Sequence, residues 1–429
     1  MIKTVKGGRA ACRAFVEDLK NRVGQTSPEI ENSVRDILEN VRTRGDAAVR
    51  EYAQRFDGWC PEHLELTRAD LEQAAAQCDP AFLASLRKAA ANIRAFHQRQ
   101  KQQSRIDPLP NGIITGQRVR GLHRVGVYVP GGTAGYPSSV LMNVIPAQVA
   151  EVGEIVMATP PGRTGRPDPN ILAAALVAGV DRVFLMGGAQ AAAALAYGTE
   201  TVPKVDKIVG PGNIFVATAK KQLYGVVDID MIAGPSEILI VADSSADPEY
   251  LAADLMSQAE HDPMASAILI TNDGDLAART VDALYRQLET LSRKEIIQTS
   301  LDRYGGIIVC DTMDEAVDFA NDLAPEHLEV SVNNPFDYLG RLDNAGSVFL
   351  GHYSPEPLGD YFAGANHVLP TGGTARFFSP LSVDDFIKKS SFIYYPKEEL
   401  LKAADDIIRL AETEELTAHA NSIRVRKKP

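Results

Sequence analysis

The 429-residue chain is 45% hydrophobic and 23% charged, apolar material enough for two or three domains and too much for a disordered chain. Its formal charge of −12 at pH 7 repels phosphate on average, which excludes general nucleic-acid or anionic-membrane binding and leaves a small-molecule ligand as the default. With no basic flank before a short apolar core and no apolar run near ~20 residues, the chain reads as soluble and cytoplasmic. Cys12, Cys60, Cys78 and Cys310 have no CxxC spacing and read as reduced, structural thiols.

In chain order, residues 1–110 read as a helical region. "SPEIENSVRDILENVRTRGDAAVREYAQRF" puts Val34, Ile37, Leu38 and Val41 at three- and four-residue spacing behind a Ser27–Pro28 start, and "PAFLASLRKAAANIRAFHQRQKQ" supplies a second helix. From 125 onward, short apolar runs alternate with amphipathic or alanine-rich segments, the signature of βαβ units. Runs at 125–129, 154–159, 182–187 and 207–210 form one series; those at 237–243, 266–272, 305–311, 328–332 and 346–351 form another. The expected fold class is α/β, with two Rossmann-like, doubly wound parallel-sheet units at 111–234 and 235–384. A helical tail, 385–429, is too small for a core of its own and must pack on its own body or on a partner subunit.

Three glycine-rich corners, "YVPGGTAG" (128–135), "MGGAQAAA" (186–193) and "GPGN" (210–213), fall where a strand meets a helix. Glycine there lets backbone N–H groups approach a phosphate, although none completes G-x-G-x-x-G, so nucleotide binding and plain tight turns both stay open. "AADLMSQAEHDP" sets Gln258 and His261 three residues apart at a helix end, and "YSPEPLGDYFAGANHVLPTGGTARF" gathers Glu356, Asp360 and His367 in a long irregular loop. His419 stands at i+4 from Glu415 on a tail helix. "LAPEHLEV" places Glu326 beside His327 at the amino end of a strand, the less usual edge for a site in this architecture.

Together, "GVYVPGG", "MGGAQAAAALAYGTETVPKVDKIVGPGN", "IAGPSE", "QAEHDP", "APEHLE", "YSPEPLGDYFAGANHVLPTGGTARFFSPLSVDDF" and "TAHANS" resemble histidinol dehydrogenase over about 120–425. The resemblance implies oxidation of L-histidinol to L-histidine through the aldehyde, with NAD and one zinc per subunit. It implies zinc ligands Gln258, His261, Asp360 and His419, substrate contacts at Ser236 and Glu414 beside those ligands and His327, and NAD contacts at Tyr128, Gln190 and Asn213. It further implies a homodimer in which one subunit's tail completes the other's site. Ser236, Glu414 and His419 suit a cationic amino alcohol better than the anionic sulfonate of related diol oxidations.

Two successive oxidations at one carbon need a base for the substrate and another for water, since an aldehyde must be hydrated before it can release a second hydride. His327 is expected in the first role and Glu326 in the second. Both ligation and base action require neutral imidazole, so activity is expected to rise with pH through the histidine range.

Overall fold

Parallel strands buried on both faces need apolar residues at every position, and the apolar runs of this chain meet that requirement. They form strands close to their expected ends in a computed structural model describing residues 2–6, 8–20, 27–131, 135–162, 165 and 167–427. Two units are distinguished: residues 1–100 with 122–386, and residues 101–121 with 387–429.

Among the described residues, the larger unit holds two six-stranded sheets. The first runs Glu65–Leu66, Arg182–Leu185, Glu154–Thr159, Arg124–Tyr128, Lys207–Val209, Asp228–Ile229, with only Glu65–Leu66 antiparallel. The second, parallel throughout, runs Lys3–Lys6, Gly305–Val309, Ser266–Thr271, Glu237–Ala242, His327–Ser331, Ser347–Leu350. Both share one winding, so the strand order reverses beside Arg124–Tyr128 in the first sheet and beside Glu237–Ala242 in the second.

Alternation along each strand feeds two cores. Ile238, Ile240 and Ala242 pack on the helices Pro248–Ala259, Gly274–Leu288 and Lys294–Tyr304, while Leu239 and Val241 join Leu328 and Val330 against Gly8–Lys20 and Met313–Leu323. On the first sheet, Val34, Ile37, Leu38 and Val41 are buried as their spacing requires, and Ser27 caps their helix by accepting the Ile30 N–H. That helix ends at Gly45, at φ 53°, and a separate one, Asp46–Phe56, follows. Trp59, the only tryptophan in the sequence, packs over Gly165 beyond the carboxyl end of Glu154–Thr159.

Two regions expected to be helical contain strands. Lys3–Lys6 extends the second sheet at its edge, and Ile387–Tyr394 pairs antiparallel with Ile114–Gly121, which pairs in turn with Arg105–Pro108. This three-stranded sheet and the helices Lys397–Thr413 and Thr417–Arg424 make up the smaller unit. Glu415 is not on one helix with His419: it sits at φ 60° in the corner between the two.

Candidate active site

The strand His327–Ser331 reads "HLEVS". Leu328 and Val330 enter the apolar core, so alternation turns His327, Glu329 and Ser331 to the opposite face, toward the helix Pro248–Ala259. All three are buried, which in an apolar sheet demands partners for each. The Glu329 carboxylate accepts the Glu356 N–H at 2.7 Å and interacts with Asp254 on that helix.

His327 is the first residue of the strand, paired with Ile238 in the parallel register. Its Nδ1 lies 2.9 Å from the Glu237 carbonyl oxygen, which can only accept, so Nδ1 carries a proton. Nε2 is buried without a hydrogen-bond partner and faces Glu356 Oε1 and Asp360 Oδ1, each at 3.8 Å. Glu326 stands 3.5 Å from His327 Nδ1. Its Oε2 accepts the Glu237 N–H at 2.8 Å, and Glu237 Oε2 accepts the Glu326 N–H at 3.3 Å, a reciprocal clasp between the amino ends of neighbouring strands.

Burial pushes Glu326 up to about 7, Glu356 up to about 8 and Glu329 well above the usual carboxylate range. For His327, burial works downward, but the charges of Glu326, Asp360 and Glu356 outweigh it and lift the imidazole to about 10. Asp360 is the converse: burial works upward, yet its pairing with His327 and the charge of His367 hold it well below the usual range. No lysine or arginine pairs with Asp254, Glu326, Glu329, Glu356 or Asp360 among the described residues. The site is rich in buried carboxyl groups, most of them held toward the neutral form, and short of cations.

That deficit fits a metal ion. His327, Glu356 and Asp360 each offer a ligand atom, all within 4.8 Å of one another. Gln258 Oε1 is buried without a partner at the end of Pro248–Ala259, and burial lowers the His261 pKa, favouring the neutral, ligating imidazole. His261 is not on the helix, as its spacing from Gln258 implied. The helix ends at Ala259, and the His261 N–H closes a turn on the Gln258 carbonyl at 3.2 Å. The long loop is also partly ordered into a helix, Glu356–Tyr361, which places Glu356 and Asp360 on the cluster.

Ser236 immediately precedes Glu237–Ala242, on the same edge as Glu326 and His327. Gln258 and His261 reach that edge because their helix runs back against the strands. Glu414 and His419 belong to the smaller unit, both exposed, at the end of Lys397–Thr413 and on Thr417–Arg424. The alternation in "HLEVS" was the signal that could have revealed Glu329, and with it Asp254.

The three glycine corners lie at the carboxyl edge of the first sheet; Gly132, Thr133 and Ala134 fall outside the described residues. Tyr128 ends its strand, is pushed up to about 12 by burial, and accepts the Gly188 N–H at 3.1 Å. Gln190 is buried, with its side-chain oxygen unpartnered. Asn213 is exposed and caps Ile214–Leu223, accepting the Phe215 and Val216 N–H groups at 3.1 and 3.2 Å. This edge meets the amino edge of the second sheet through His367: Nδ1 donates to the Asp360 carbonyl at 3.1 Å, leaving Nε2 to accept the Ser139 hydroxyl at 3.4 Å. Ser139 lies on Pro137–Val149, the helix that follows Arg124–Tyr128, and Asn366 Nδ2 donates to Met142 O on that helix at 2.8 Å.

The profile of the histidinol dehydrogenase family matches residues 20–427. The histidinol dehydrogenase of Clostridium acetobutylicum is 53% identical over 428 residues, covering 100% of this chain and 99% of the relative. That of Caldanaerobacter subterraneus subsp. tengcongensis is 56% identical over 410 residues, 95% of each chain. The crystal structure of histidinol dehydrogenase from Elizabethkingia anophelis superposes with a TM-score of 0.93 at 37% identity, over 99% of this chain and 98% of that one. With profile, sequence and fold in agreement over nearly its whole length, the chain belongs to the histidinol dehydrogenase family of oxidoreductases.

Proposed function

We propose that this chain catalyses the zinc- and NAD-dependent four-electron oxidation of L-histidinol to L-histidine by way of L-histidinaldehyde. The observation that carries the reading is His327: one ring nitrogen is committed to a backbone carbonyl, and the other is buried, unpartnered and turned toward two carboxylates at the edge that holds Glu326.

Gln258, His261, Asp360 and His419 would hold the zinc, Tyr128, Gln190 and Asn213 the NAD, and Ser236 and Glu414 would contact the substrate. Zinc held there would supply a Lewis acid that fixes the substrate's position, and NAD would supply the hydride acceptor. With a bound cation offsetting the carboxylates that otherwise lift it to about 10, His327 is neutral, and its Nε2 takes the hydroxyl proton of the alcohol as hydride leaves its carbon. Glu326 then removes a proton from the water that adds to the aldehyde, a task suited to a carboxylate pushed up to about 7, while the protonated His327 returns its proton to the aldehyde oxygen and is again free to act as a base. His327 next takes a hydroxyl proton from the hydrated aldehyde as the second hydride departs. Glu237 fixes both bases, holding the ring through its carbonyl and the carboxylate through its N–H.

The exposed Glu414 and His419 support a homodimer in which each tail completes the other subunit's site. The half-reactions provide the test. Glu326→Gln is expected to keep much of the histidinol oxidation and to lose about a hundredfold in histidinaldehyde oxidation. Equal losses in the two would end the division of labour between the bases.

A further inference from the structure

One peptide at the carboxyl edge of the first sheet is held from several sides. Gly210 follows Lys207–Val209 at φ 106°, and a Cβ there would overlap the Tyr128 carbonyl oxygen, so the position needs glycine. The Gly210 N–H donates to Asp230 Oδ2 at 2.8 Å, and its carbonyl accepts from Lys220 Nζ at 3.0 Å. Lys220 and Asp230 also pair directly, with side chains only 3% and 1% exposed. Asp230 Oδ1 accepts the Met231 N–H at 2.6 Å, fixing the start of the connection that leads to Ser236. Lys220 lies on Ile214–Leu223, the helix that Asn213 caps.

Stability does not account for this arrangement. Desolvating two charges costs about what their attraction returns, and an apolar pair of the same volume is often as stable. What an apolar pair cannot do is bond both polar groups of one strained peptide. The ion pair selects a single conformation of the Gly210–Asn213 corner, and that corner touches Tyr128 on one side and ends in Asn213 on the other.

We propose that Lys220 and Asp230 are positioning residues that preform the dinucleotide-binding corner through the Gly210 peptide. The proposal rests on the reading that NAD binds at Tyr128, Gln190 and Asn213. It assigns Lys220 no contact with the cofactor, because its ammonium group is spent on Gly210 and Asp230.

The test uses the full-length, metal-loaded protein and the double variant Lys220→Met/Asp230→Asn, which removes both charges together and leaves an acceptor for the Gly210 N–H. The Kd for NADH and the KM for NAD are expected to rise about tenfold, with kcat and the KM for histidinol within about threefold of the parent. Lys220→Arg, which keeps a charged donor, is expected to restore NADH affinity to within about threefold. NADH affinity equal to the parent's, or an equal loss for NADH and histidinol, would overturn the proposal. If the double variant does not accumulate as folded protein, Lys220→Leu/Asp230→Asn is read in the same way. Asn213→Ala separates the two layers. If it weakens NADH binding while the double variant does not, the positioning role alone falls; if it leaves NADH binding unchanged, the cofactor reading falls and the proposal with it.

Discussion

The two sheets of the larger unit share one strand order and use opposite edges. The first gathers its glycine corners, with Tyr128, Gln190 and Asn213, at the carboxyl ends of its strands, where open α/β sheets hold ligands. The second carries Glu326, His327 and Ser236 at the amino ends. Its own reversal point at the carboxyl edge holds a different polar group, in which Ser331 Oγ lies 2.9 Å from His352 Nδ1 and Ser245 Oγ lies 3.4 Å from Nε2. The contact of Ser139 with His367 explains the inversion, because the carboxyl edge of one sheet faces the amino edge of the other. A reaction between a ligand on each sheet belongs at that meeting. On the proposed reading, the amino edge can serve a site because the facing sheet would supply the other reactant.

The comparison can be broken most decisively at His327. His327→Asn is expected to lower both half-reactions by about a thousandfold, measured as single turnovers of alcohol and aldehyde. A loss below about tenfold would remove the amino edge from the chemistry.

Protonation sharpens the contrast next. Below about 7 Glu326 holds its proton and cannot accept another, so aldehyde oxidation is expected to fall about tenfold per pH unit on the acid side and to level off above. A Glu326→Gln variant should lose that limb. His327 is expected to titrate near 10 by NMR in metal-stripped protein, and lower once a divalent cation offsets the carboxylates around it. The same groups set a stability trend. Glu326, Glu356 and His327 all bind protons more tightly when folded, so the folded state holds extra protons from above pH ~4.5 up to about 10. The Tm of metal-stripped protein should therefore fall as pH rises from 5 to 9, and metal should reduce the slope.

On the first sheet, Gln190→Ala is expected to raise the KM for NAD about tenfold and to leave the KM for histidinol nearly unchanged. The smallest effect belongs to the idle edge of the second sheet. His352→Gln should keep kcat and both KM values within about twofold, and a larger kinetic effect would show that this edge also serves the reaction.

Much of this was legible in the sequence for physical reasons. Strands buried on both faces, such as "EIVMAT" and "SAILIT", leave continuous apolar runs, and glycine marks the corners where they end. The polar strands left no such trace. "KTVK" and "ITGQRVRG" sit at a sheet edge or in a sheet with exposed faces, and the partner of the latter, Ile387–Tyr394, lies far along the chain. Gly45 split an expected helix because its positive φ cannot continue one. His261 left its helix because Pro263 restricts the residue before it and the last turn had already unwound. Around the site, Glu326 and His327 were readable as neighbours in sequence. Glu329 with Asp254, and Lys220 with Asp230, become partners only through folding.

Trp59 gives the molecule a native optical probe. As the only indole in the chain, packed over Gly165 at the carboxyl edge of the first sheet, it makes all tryptophan emission originate from one side of the cleft. That emission overlaps the absorption of a reduced nicotinamide, so energy transfer from Trp59 would follow dinucleotide arrival and departure in real time without a label. Events at the amino edge of the second sheet would stay dark to the same detector, which makes the division between the two sheets measurable by light.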